Sequence, residues 1–186
     1  MEIDLIKNYG LIKSKSKVNN NAVNVNSIVK LASLLILLNP DICAEETINL
    51  VACGLVKYHR AFDILIQSLS LCCNKHYFFA VLEDRKCKSD LIALAEKHEV
   101  SNKVNFTGFI DNTYQHYAKE DIFILCSRFE GFPNVLLKVL SCGTYIIATP
   151  TPGWVLEILK DIDGYKIIDT MTITSCISYG AIRFST

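Results

Sequence analysis

At 186 residues, 51% of them hydrophobic, the chain can bury one full core, but two complete nucleotide-binding α/β domains do not fit in it. Lysine plus arginine equals aspartate plus glutamate at 19 each, so the formal charge is zero and no basic field argues for a nucleic-acid partner. The opening residues lack a charged region leading directly into an apolar core and cleavage site, so the eight cysteines read as reduced, mostly buried thiols of a cytoplasmic protein. Cys72 and Cys73 are adjacent and Cys87 stands among charges; no zinc-ligand spacing appears, and no metal site is expected.

Residues 1–26 are rich in Asn, Lys and Ser with few apolar anchors, and read as a flexible or poorly packed arm. The apolar run 28–38 is broken by Lys30 and is too short for a membrane span of roughly 20 residues, so a buried strand or helix segment is expected there. From Ile48 the rhythm becomes regular. Residues 48–53 (INLVAC) read as a strand and 59–73 as a helix, with Phe62, Leu65, Ile66 and Leu69 at helical spacing. A strand at 76–82, a helix at 89–98 and a short strand at 104–106 follow. Asp111 or Asn112 then caps a short helix through Tyr117.

Residues 121–126 (DIFILC) form a compact apolar run suited to a buried strand, and a helix from Pro133 to a left-handed stop at Gly143 comes next. A strand at 145–149, a short helix at 154–159 and a last strand at 165–168 complete the pattern. After Ile168 it stops, leaving 169–186 as an irregular tail. Strands alternating with helices argue for an α/β fold, a Rossmann-like parallel sheet with helices on both faces, occupying residues 27–168.

Between the strand at 121–126 and the helix after it, Glu130, Gly131 and Phe132 form a tight loop at a strand's carboxyl end. A helix N-terminus there offers unpaired N–H groups and a partial positive charge to a phosphate, and glycine lets the backbone come close.

The string EGFPNVLL, followed by SCGTYIIAT and PTPG, resembles the signature of retaining glycosyltransferases of GT-B architecture, family 4, in their C-terminal, donor-binding domain. The resemblance implies a Glu, seven residues, Glu motif in which Glu130 faces the donor sugar as the catalytic-site carboxylate. The amides from Gly131 through Phe132 and Pro133 to Asn134 would face the diphosphate, and position 138 the ribose. It also implies diphosphate contacts near Gly54 and Arg60, and a loop beside the base at Gly108 and Phe109. Arg60 is either that cation or a solvated helix-start residue. Phe109 either lines the base pocket or is a buried aromatic.

Three positions depart from the family pattern: Leu55 replaces a phosphate-binding Arg, Leu82-Glu83-Asp84 replaces Gly-x-Gly, and Lys138 replaces the second Glu. An ammonium has donors only, so Lys138 cannot accept the ribose hydroxyls as a carboxylate would. No histidine has a recognisable catalytic partner.

The implied function is hexosyl transfer from a nucleotide-diphosphate sugar, such as a UDP- or GDP-sugar, to a saccharide or lipid-linked acceptor. That donor is a substrate, and no cofactor or metal is implied. The chain would represent the donor-binding domain only, and on its own would be inactive without an acceptor domain. The alternatives are a partner subunit of a split glycosyltransferase, paired with a separate acceptor-domain subunit, and a remnant that neither binds nor catalyses. No transmembrane segment is expected, and peripheral membrane association stays open.

Overall fold

The computed structural model describes residues 21–34, 47–55, 58–72, 77–82, 88–151 and 153–168. Six strands form one all-parallel sheet: β1 (Ile48–Cys53), β2 (Tyr77–Leu82), β3 (Val104–Gly108), β4 (Ile122–Leu125), β5 (Tyr145–Ala148) and β6 (Tyr165–Ile167), in the order β3-β2-β1-β4-β5-β6. The order reverses between β1 and β4, where Leu50 pairs with Ile122 and Val51 with Phe123. Chain connections leave that point in opposite directions, so the loops after β1 and β4 part and leave a crevice between them.

Alternation along the strands divides the core in two. Leu50, Ala52, Phe79, Val81, Ile122 and Ile124 bury against α2 (Phe62–Ser70) and α3 (Lys88–Lys97) on one face. Val51, Phe123, Leu125 and Ile146 bury on the other, against α4 (Thr113–Lys119), α5 (Asn134–Cys142) and α6 (Val155–Leu159). All four residues of β4 are buried, as a central strand covered on both faces requires.

Two expected elements differ. A helix α1 (Val25–Ala32) starts inside the stretch read as an arm and packs on α4 and α5, with Ile28 buried. Asn24 caps it, its side chain accepting from the Ser27 N–H at 3.1 Å. Residues 1–20 and the tail 169–186 lie outside the described residues, as do Glu83 and Asp84. The helix expected over 59–73 is divided: Tyr58–Arg60 is a 3₁₀ turn, Ala61 sits at φ 54°, and the α-helix begins at Phe62. An L-residue in the left-handed region is uncommon and breaks the helical run. Here that break aims Arg60 back toward the crevice.

The loop after β4 is a loop, as expected. Gly131 precedes α5 and Gly143 ends it at φ 77°. Cys53, Cys72, Cys126 and Cys142, the cysteines among the described residues, are all free thiols. Burial pushes the Cys126 thiol up to about 12 and that of Cys142 to about 11, so both are neutral at physiological pH.

Candidate functional site

The crevice is walled by the ends of β1 and β4. β1 leads into Gly54, whose φ of 140° is open to glycine alone and whose N–H donates to Leu82 O at 3.1 Å. A Cβ at this position would meet Arg60 Nε at 3.1 Å and Cζ at 3.3 Å, so the missing side chain is what lets the guanidinium lie against the strand end.

From the other wall, Glu130 reaches the same place. Its Oε1 accepts from Arg60 Nη1 and from Ser127 Oγ, the latter at 2.7 Å, and its side chain is only 8% exposed. A carboxylate this buried is tolerable only because a cation and a hydroxyl both serve it. Arg60 Nε, on the opposite edge of the guanidinium, is buried and has no partner among the described residues. That edge can take an oxyanion side-on, while the carboxylate can accept hydroxyl hydrogen bonds.

The loop carrying Glu130 is held from behind by the segment after β5. At Gly153 (φ 124°) a Cβ would clash with the Glu130 carbonyl oxygen and lie 3.0 Å from that of Gly131. The Trp154 N–H donates to Gly131 O at 3.4 Å, and the Trp154 and Phe132 rings are 5.6 Å apart. Neither Gly153 nor Trp154 was expected to matter, although PTPG is part of the matched string. A glycine directly after a proline carries no local sign of what its Cα must touch.

The remaining expected site residues are placed as follows. Gly108 ends β3 at φ 75° with open space around it, and Phe109 beside it is 57% exposed, which rules out the buried-aromatic reading. Gly131 is exposed and Pro133 buried. Of the backbone from Gly131 to Asn134, Pro133 has no N–H and the Asn134 N–H turns back onto Phe132 O at 2.9 Å. The amides expected to face a diphosphate therefore narrow to Gly131 and Phe132. Asn134 instead accepts from Asn21 Nδ2 at 2.8 Å through its side chain. Lys138 points away from Glu130, its ammonium 5.8 Å from the centroid of the Tyr114 ring.

Arg128 is engaged as well. It donates to Asp63 Oδ1 at 3.0 Å and Oδ2 at 2.7 Å, donates to Tyr58 O, and lies 4.1 Å over the Tyr58 ring. The fork of hydrogen bonds from Arg128 holds the Asp63 carboxyl below the usual carboxylate range, and Asp63 in turn raises Arg128. The Arg128 N–H also donates to His59 O at 2.7 Å, and the His59 and Phe129 rings stack at 5.3 Å. These contacts tie the 3₁₀ turn to the loop after β4, and so set Arg60 opposite Glu130.

The profile of the family described as glycosyl transferases group 1 matches residues 47–177. N-acetylgalactosamine-N,N'-diacetylbacillosaminyl-diphospho-undecaprenol 4-alpha-N-acetylgalactosaminyltransferase of Campylobacter jejuni is 25% identical over 158 residues, covering 85% of this chain and 41% of that protein. Among solved structures, a glycosyltransferase from Rickettsia africae superposes with a TM-score of 0.81 at 17% identity, over 96% of this chain and 50% of that one. Anabaena HepE, solved in complex with UDP and glucose, superposes with a TM-score of 0.75 at 18% identity, over 97% of this chain and 51% of that one. The chain thus spans about half the length of these structures and less than half of the Campylobacter relative. At such identities the superpositions speak for the fold, and the profile match for kinship: the chain belongs to the glycosyl transferases group 1 family.

Proposed function

We propose that this domain binds a nucleotide-diphosphate sugar in the crevice between the ends of β1 and β4, as the donor half of a glycosyltransferase that moves a hexose to a saccharide or lipid-linked acceptor. The observation that carries this reading is the buried Glu130 carboxylate, set opposite Arg60 at the sheet's reversal point. A diphosphate needs donors on its oxygens. The side-on edge of Arg60 beside Gly54 and the Gly131 and Phe132 amides supply them. A sugar's hydroxyls need an acceptor, which Glu130 offers. The Campylobacter relative, named for transfer to a diphospho-undecaprenol-linked saccharide, supports the lipid-linked acceptor class, and the UDP held by HepE supports the donor class.

A second reading, a partner subunit of a split glycosyltransferase, draws on the rim of the crevice. Leu55, Tyr58, Phe109 and Phe129 all expose much of their apolar surface on the loops that follow β1, β3 and β4.

Calorimetric titration with UDP, GDP, ADP and their sugars separates the two. Donor binding predicts saturable millimolar or tighter binding of one pair, with Glu130→Ala reducing the sugar nucleotide to the affinity of the bare diphosphate. Absence of heat with every nucleotide would leave only the partner and remnant readings.

A further inference from the structure

One detail of the Glu130 site is not needed to bind a nucleotide yet is built with care. Both donors that reach the carboxylate converge on the same oxygen, Oε1, and Oε2 has no partner among the described residues. A carboxylate held through one oxygen keeps its second as an acceptor for something else.

Ser127 is 2% exposed, and two hydrogen bonds hold the backbone from which its side chain projects. Thr149, at the end of β5, donates through Oγ1 to Ser127 O at 3.1 Å, and its N–H donates to Leu125 O at 2.9 Å. The chain of contacts therefore runs from β5 through Thr149 to Ser127 and on to Glu130, with every member buried or nearly so. The Arg60 contact alone would leave the carboxylate free to pivot about a single ion pair, and a cation drawn to an incoming oxyanion would carry the carboxylate with it. The Ser127 hydroxyl removes that freedom, because it is anchored to the sheet and not to the ligand-facing turn.

Resting on the nucleotide-sugar reading, we propose that Ser127 is a positioning residue for Glu130: it pins Oε1 so that Oε2 is presented to a hydroxyl of the donor's sugar. The role is distinct from holding the nucleotide, since the Ser127 hydroxyl is spent on Glu130. It predicts that losing the hydroxyl harms recognition of the sugar but not of the nucleoside diphosphate.

The test is a double-mutant cycle read by calorimetry on the full chain, with a nucleoside diphosphate and its glucose conjugate compared in each variant. In the wild type, the pair that binds (UDP, GDP or ADP) is identified first. Ser127→Ala is then expected to weaken the sugar nucleotide about fivefold, the worth of one hydrogen bond of ordinary net strength, while the bare diphosphate changes less than about twofold. In a Glu130→Ala background the same substitution should make no further difference to either ligand. Should Ser127→Ala lose its cooperative unfolding transition, Ser127→Cys, of similar size with a weak donor, serves for the same comparison.

Equal weakening of both ligands, or a loss that persists without Glu130, would overturn the proposal and show Ser127 to be packing alone, with the donor-binding reading intact. A wild-type chain that binds no nucleotide would overturn the donor-binding reading and this proposal with it.

Discussion

Arg60 and Glu130 are 70 residues apart in sequence, yet they form the ion pair that defines the crevice. Each was legible alone: Glu130 from its loop before a helix, Arg60 as a cation at a helix start. Their pairing was not, because it depends on a left-handed Ala61 and on Arg128, whose guanidinium gathers the turn through Asp63 and Tyr58. Sequence gives Arg128 no partner within reach, since Asp63 lies 65 residues away. This pair carries a prediction at its own scale. The folded-state depression of the Asp63 carboxyl means that its stabilisation is present at neutral pH and is lost as pH falls below about 4, through its lowered folded value. With the Asp63 side chain 42% exposed, solvent screening limits the contribution to under about 1 kcal/mol. Asp63→Asn should lower the urea midpoint at pH 7, and the gap to wild type should narrow progressively as pH falls below about 4. A gap of constant size across that range would show that the ion pair is not the source.

Among the elements, the helices and strands of the sheet follow their hydrophobic spacing closely. The expected strand at 121–126 is β4, bounded at Ile122–Leu125, and the expected helix from Pro133 is α5, with Gly143 as its left-handed stop. Burial on two faces leaves a periodic imprint in sequence, which is why those elements were readable. Polarity and propensity proved weaker guides for α1. Its single buried residue, Ile28, leaves no stripe, and only the Asn24 cap marks its start. The clamp of the β5–α6 segment on the Glu130 loop left no sequence imprint either, because it is a contact of backbone with backbone. Gly153→Ala places a methyl group against two carbonyl oxygens at a φ that L-residues rarely adopt. The expected cost is at least about 2 kcal/mol in urea unfolding, combining the left-handed strain and the clash. A variant as stable as wild type would mean that the clamp is loose and does not set the Glu130 backbone.

For the molecule as a whole, the parallel order β3-β2-β1-β4-β5-β6 puts the reversal point, the glycine after β1 and the Glu130 loop together at the carboxyl end of the central strands. Among the described residues no helix is long and apolar enough to cross a membrane. The departures at Leu55 and Lys138 keep their weight. Leu55 is exposed and supplies no cation, and Lys138 is turned to Tyr114. Arg60 is thus left as the cation facing Glu130, with its Nε unpartnered. A charge-assisted hydrogen bond is worth roughly 1.5 to 3 kcal/mol, so a site short of one such contact binds a diphosphate about tenfold to a hundredfold more weakly than one that has it.

The central claim is that the crevice between β1 and β4 receives a nucleoside diphosphate, and an amide-resolved NMR titration of the full chain with UDP and GDP tests it most directly. The account predicts saturable shifts largest at the Gly54, Gly131 and Phe132 amides, with Gly108 following. Shifts confined to other parts of the surface, or none at millimolar nucleotide, would contradict it.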